Sequence, residues 1–335
     1  MKKQIDWLAI LRGWAVLLVI IFHATLFMEQ HADSVESFLG IFNELFYFRM
    51  PLFFFISGYL LCYTKILKNG SFGSIIRERV PRILIPYIVI TWGVYFSKLI
   101  AGMFISLGSP VEFSAKIIID MFLYPYTRNP WPTLWFLNTI IVFFLCYPLL
   151  KLSLKNVFTT VSTFLLLTVF YLVVSPLEIE ILNFPFVAKY FVFFYFGLLF
   201  ARFELYKYGK NIAIFLISAG IMIAVFTLWK YNIISLTFFL LLYSLAGIYI
   251  SIYFAMQCEK IIPTLFSSFR KYYYQIYLVS PFFHIAVCLA YEKMDSNNPL
   301  LFIVISAILG LYGPVLICKA AEKLNWKPLL RVLGF

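Results

Sequence analysis

Charge is what this chain has least of. Only 13% of its 335 residues are Asp, Glu, Lys or Arg, against roughly 25% in soluble domains. With 63% hydrophobic residues, a water-soluble fold of this size has no means of hiding its apolar surface, so lipid must cover the excess. Polar stretches long enough to form a second domain are missing as well, and the chain reads as one membrane domain over residues 1–335. The signatures of soluble enzymes are absent: no G-x-x-x-x-G-K-[ST], no G-x-G-x-x-G after a strand, no G-x-S-x-G and no H-E-x-x-H. The five cysteines, Cys62, Cys146, Cys258, Cys288 and Cys318, include no C-x-x-C and no His at metal spacing, which argues against a disulfide or zinc framework. A cleavable signal peptide is not expected, because the first apolar run holds an Arg and a His and no small-residue cleavage site follows.

What is present is a succession of apolar runs. A spanning helix needs about 20 mostly apolar residues. Ten stretches qualify: Trp7–Phe27, Phe38–Leu61, Ile83–Leu107, Leu134–Leu154, Val157–Val174, Val187–Phe203, Ile212–Trp229, Ile233–Phe254, Tyr274–Tyr291 and Leu300–Lys319. The expected fold class is therefore all-α, a polytopic transmembrane helical bundle of about ten spans. The net charge of +12 lies in short clusters between those runs, which points to membrane topology and not to nucleic acid. With the N-terminus inside, nineteen Lys and Arg fall in inner segments and five in outer ones, so both termini are expected in the cytoplasm. Among the outer segments, Tyr124–Trp131, rich in proline and aromatics, reads as an ordered loop, and His31 sits among acidic residues in another, where solvation is expected.

Ionisable groups inside spans cost roughly 2.5–3.5 kcal/mol each near the bilayer centre, so their presence calls for a reason. The first span carries Arg12 and His23. Eleven steps of about 100° return within about 20° of the start, so both point along one face, about 16 Å apart in rise. A neutral imidazole in a dry site suits a general base, and a guanidinium near the inner surface suits a phosphate or carbonyl oxygen. The alternatives are a snorkelling Arg12 and a His23 bonded to a neighbouring helix. The second span holds Glu44, Arg49 and Ser57, with Pro51 permitting a kink. A Glu44–Arg49 pair is one reading of those charges, a cavity lining the other. Arg77, Arg79 and Arg82 precede the third span, where they suit either the phosphates of an acyl-CoA or plain topology and anionic lipid. His284 in the ninth span is either a second functional group or hydrogen-bonded packing, and Lys98 lies near enough to a span end to snorkel.

These residues together resemble the acyltransferase-3 family of bacterial integral membrane acyltransferases. Arg12-Gly13-Trp14-Ala15 with His23 is similar to that family's R-x10-H signature. Phe48-Arg49-Met50-Pro51-Leu52-Phe53-Phe54-Phe55-Ile56-Ser57-Gly58-Tyr59 resembles its second-helix motif ending in F-F-x-x-S-G-[FY]. Arg79-x-x-Arg82-Ile83 before Pro86-Tyr87 looks like the arginine pair opening its third helix, and Leu134-Trp135-Phe136-Leu137 and Tyr274-Gln275-Ile276-Tyr277-Leu278 match weaker motifs downstream. The resemblance implies transfer of an acyl group, most often acetyl from acetyl-CoA as co-substrate and without a metal, to a hydroxyl of a surface polysaccharide or lipid-linked glycan. It implies His23 as the catalytic residue, and Arg12, Arg79 and Arg82 as donor-binding residues. Arg49, Glu44, Ser57, Trp135 and His284 are substrate-contacting or structural candidates. The motifs are closest to fucose O-acetylase-like members, although these often have His where Arg49 stands. Relatives also frequently have His at the place of Ser280, so a role for that His does not carry over. The expected location is the bacterial cytoplasmic membrane, with lipid bilayer and glycan as partners, no nucleic acid, and no assembly state implied. A competing reading is a polysaccharide exporter or small-solute transporter, which would need polar residues along a continuous path. Here they cluster in the first two spans.

Overall fold

The computed structural model describes residues 6–29, 40–103, 116–177, 179–294 and 298–335. His31, the start of the second expected span and the end of the third lie outside the described residues. Among the described residues the regular structure is helical throughout. In chain order the helices are α1 (Asp6–Glu29), α2 (Arg49–Leu61), α3 (Phe72–Glu78), α4 (Val80–Gly102), α5 (Lys116–Leu123), α6 (Trp135–Leu145) and α7 (Tyr147–Ser153). They continue as α8 (Val157–Val174), α9 (Phe184–Arg202), α10 (Ile212–Lys230), α11 (Leu236–Ile261), α12 (Tyr273–Lys293), α13 (Pro299–Lys323) and α14 (Lys327–Val332). A short helical segment at 40–45 leads into α2, and a π-helical turn, Cys62–Ile66, follows it.

Nine helical stretches among the described residues are long and apolar enough to cross a bilayer, ten if the bent pair α6–α7 counts as one. The pair corresponds to the expected fourth span, but it is not one continuous helix. The chain bends by 58° between Pro132–Leu145 and Tyr147–Ser153. Pro148 sits in the first turn of the second helix, where it has no N–H to bond the Phe144 carbonyl and its ring crowds that group, so the first helix does not continue. Side-chain caps mark several helix starts where the sequence turns apolar. Asn156 accepts from the Thr159 amide at 2.8 Å, Asn211 from Ala213 at 2.9 Å and Asn298 from Leu301 at 3.1 Å.

The chain divides into two compact units. The first comprises Met1–Tyr63 with Phe193–Leu324. At its centre is α1, packed against α2, α11, α12 and α13, while α10 pairs with α11 and α12 with α13. Burial follows this arrangement, because 56% of the most apolar window of α1 is buried against 11% of that of α10. The exposed Ile212, Leu216, Ile217 and Ile223 of α10 belong against lipid tails. Gly58 of α2 and Gly197 of α9 let two backbones touch. A methyl group at Gly58 would collide with the Phe194 carbonyl oxygen, and one at Gly197 with that of Phe55. Small residues at such crossings are how membrane helices gain close packing without a hydrophobic drive.

The second unit comprises Thr64–Val192 with Asn325–Phe335, and α4 is its organising helix, contacting α3, α6 and α14. The Tyr124–Trp131 loop is ordered, as expected. Asn129 donates to the Tyr87 hydroxyl at 2.9 Å, accepts from the Trp131 amide at 2.7 Å, and Tyr87 donates to the Met121 carbonyl. Lys98 donates to the Pro130 carbonyl at 3.1 Å, so its charge anchors this loop instead of only snorkelling.

Candidate active site

Inside the first unit α1 presents His23 on the stripe that the sequence spacing places in line with Arg12. His23 is half-buried, but its Nδ1 is shut away from solvent and has no hydrogen-bond partner among the described residues. The imidazole of His284 faces it from α12, with ring centroids 6.2 Å apart and planes tilted by 53°. His284 is fully buried, and its Nδ1 lies 2.7 Å from the Ser306 hydroxyl of α13. Phe27, one turn beyond His23, stacks on the His284 ring at 6.0 Å and 18°. Gly310 makes room for that ring, since a Cβ there would come 2.5 Å from His284 Cε1.

Arg49 also belongs to this region. Its guanidinium carbon lies 3.8 Å from the centre of the Phe22 ring, it donates to Asn43 Oδ1 at 2.9 Å and to the Phe46 carbonyl at 3.2 Å, and its charge acts on His23. The Glu44–Arg49 pair that the sequence allowed is not formed. Glu44 instead meets Lys230 of α10 at 2.5 Å, because at a separation of five residues the two side chains do not share a helix face. Ser57 donates back to the Phe53 carbonyl at 2.9 Å, which satisfies the hydroxyl within α2. Arg12 bonds the Leu8 carbonyl through Nε at 3.3 Å and lies 5.2 Å from the Tyr273 ring, a cation held at an aromatic face.

The second unit holds the other candidates. Arg82, in the first turn of α4, lines a cavity of about 320 Å³ together with Arg77, Glu78, Arg331, Ile85 and Phe335. Three guanidinium groups face one carboxylate there, and Glu78 is already engaged by Lys65 at 2.9 Å. The N-terminal end of α4 adds the positive pole of a 23-residue helix. Together these give the cavity a mainly basic lining. Arg331 escapes a sequence reading, in which it is one more cation after the last span. Arg79 donates to the Thr64 hydroxyl at 2.7 Å. Trp135 packs among Phe186 and Tyr190 with ring centres 4.6 and 5.2 Å away. Among the described residues no group of three His, Cys, Asp or Glu is placed to hold a metal ion.

The arrangement thus contains two neighbouring imidazoles in one unit and an arginine-lined cavity in the other. Comparison with known families decides the class, because the acyltransferase-3 family model, described as an acyltransferase domain, matches residues 5–319. The chain belongs to the acyltransferase-3 family. As a member it is a multi-pass membrane protein of an acyltransferase class, in agreement with the spans and with the order of the motifs around Arg12, Ser57 and Arg82. An 89-residue stretch is 29% identical to the inner membrane protein YcfT of Escherichia coli (strain K12). That match covers 24% of this chain and 24% of YcfT, so the chain spans about a quarter of the length of that curated relative. No solved structure matches.

Proposed function

We propose that this protein is a membrane O-acyltransferase that moves an acyl group, acetyl in the simplest case, from acyl-CoA to a hydroxyl of a cell-surface polysaccharide or lipid-linked glycan. The observation that carries the reading is His23, an imidazole enclosed on its Nδ1 side within a chain whose family match spans residues 5–319. A family that transfers acyl groups needs a base for the acceptor hydroxyl, and a neutral imidazole in a site of low polarity is the side chain suited to that task.

In this reading His23 accepts the hydroxyl proton as the acceptor oxygen attacks the thioester carbonyl. The carbon–sulfur bond then breaks, and the departing thiolate takes the proton back from the imidazolium. Arg82, Arg77 and Arg331 hold donor phosphates through charge-assisted hydrogen bonds, and Arg79 supports the same segment through Thr64. Arg12 stands eleven residues before His23 on the same helix, a rise of about 16 Å that suits the length of an extended pantetheine arm. The motifs around Arg12 and Ser57 support a reading near the fucose O-acetylase-like members. The cytoplasmic membrane of a bacterium, with both termini inside, fits the charge asymmetry and the inner-membrane relative.

The test is acyl occupancy of the surface glycan, by mass spectrometry and proton NMR, in cells lacking the gene and in cells carrying His23→Ala at normal protein level. Ester groups should disappear in both while the glycan stays at the surface. Loss of surface glycan with ester content per repeat unchanged would instead make the protein an exporter.

A further inference from the structure

The histidine on α12 has a role that this reading of His23 leaves unassigned. The geometry points to His284 as the positioning residue of His23, linked to it through one buried water and seated on Ser306, so that His23 keeps Nε2 free to accept a proton. The inference rests on His23 being the base.

Among the described residues, three buried polar atoms in this region have no hydrogen-bond partner: His23 Nδ1, His284 Nε2 and Ser280 Oγ. Buried polar groups are nearly always paired, so two imidazole nitrogens left open on facing rings call for a shared partner. A ring nitrogen lies about 1.1 Å from its ring centre. At a centroid separation of 6.2 Å the two rings therefore bring nitrogens no closer than about 4 Å, too far for a direct bond. The same centroid distance allows separations of about 4 to 8.4 Å, a range that includes the roughly 5.5 Å one water spans between two nitrogens. Ser280 precedes His284 by one helical turn on the same face and offers the third contact that a buried water usually finds.

The tautomers follow from the task. To take a proton at Nε2, His23 must carry its own proton on Nδ1, and that N–H needs an acceptor. His284 Nε2 supplies it through the water, provided that His284 carries its proton on Nδ1, where the Ser306 oxygen 2.7 Å away accepts it. This is the logic by which a third group orients the base in nucleophilic enzymes, carried by neutral groups. Phe27 stacked on one side and the missing Cβ of Gly310 on the other hold the His284 ring in the required plane.

The chain contains only three histidines, so selective 15N labelling of the full-length protein in detergent resolves each imidazole. His23 should show the Nδ1-protonated tautomer in the wild type and lose it in His284→Phe. Acyl-transfer kinetics should show kcat lowered at least about tenfold in His284→Phe with KM for acyl-CoA unchanged. His284→Gln, which keeps an acceptor near the Nε2 position, should recover most of the rate, and Ser306→Ala should fall between. If His284→Phe does not fold, the tautomer and kcat of His284→Gln and Ser306→Ala decide by the same criteria. An unchanged His23 tautomer and kcat in these variants, beside an inactive His23→Ala, overturns the inference and leaves His23 as the base. An active His23→Ala overturns the proposed function itself.

Discussion

Around His23 and His284 the polar groups are few and walled by Phe22 and Phe27, and one cation, Arg49, lies against the far side of that wall on the Phe22 ring, whereas the cavity at the start of α4 gathers three guanidinium groups against one carboxylate. The first region excludes water from at least one face of each imidazole, and the second is built largely of exposed side chains. Each environment suits a different part of an acyl transfer. A proton moves between neutral groups most readily where no hydration shell must be rebuilt, and a polyanion is held where several charges remain wet and mobile. The contrast teaches that cost determines where charge goes. Guanidinium groups collect at a helix end, where water still reaches them, and imidazoles, which can be neutral, go inside.

The sharpest break of this comparison is kinetic. His23→Ala should lower kcat by about a hundredfold to ten-thousandfold, the usual worth of a general base, and leave KM for acyl-CoA near its wild-type value. Arg82→Ala should do the reverse, raising donor KM about tenfold to a hundredfold through loss of a charge-assisted hydrogen bond while kcat changes little. Steady-state rates of thiol release at varied acyl-CoA check both. A fall in kcat alone for Arg82→Ala would move that arginine from donor binding to catalysis and dissolve the division between the two regions.

Most of the fold is legible in the sequence because a bilayer demands long apolar runs, and among the described residues nine such runs reappear as helical stretches and the fourth as a bent pair. The bend at Cys146 is less legible. Pro148 announces it only through the backbone N–H it lacks, since hydropathy carries straight through. His23 and Arg12 stand out because they share one helix and one face. His284 with Ser306, and Arg82 with Arg331, are pairings between segments far apart in sequence, for which one chain offers no periodic signal. Glu44 shows the same limit from the other side. Its nearest cation in sequence is not its partner, which lies 186 residues on, at Lys230.

Two further substitutions sharpen the contrast at smaller size. Gly310→Ala places a methyl group 2.5 Å from His284 Cε1, so the imidazole or α13 must shift. The expected result is kcat lowered about tenfold and stability lowered by about 1–3 kcal/mol, read by transfer rate and thermal unfolding in detergent. Arg331→Ala removes one of three cations from an open cavity, and donor KM should rise about threefold to tenfold, with the effect shrinking as salt is raised. An Arg331→Ala enzyme indifferent to salt would mean that α14 only packs on α4.

The smallest effect is expected at Glu44→Gln. Its carboxylate meets Lys230 with side chains 27% and 47% exposed, and such pairs contribute about 0–1 kcal/mol. Arg49 does not depend on it, because Asn43 and the Phe46 carbonyl hold the guanidinium. Acyl transfer should therefore stay within about twofold of wild type, and Arg49→Ala should cost far more, since it strips a fixed charge from beside His23. If Glu44→Gln instead matched Arg49→Ala, the acidic group would belong to the histidine region after all. That region would then carry charges of both signs, and its difference from the arginine cavity would lie in charge balance.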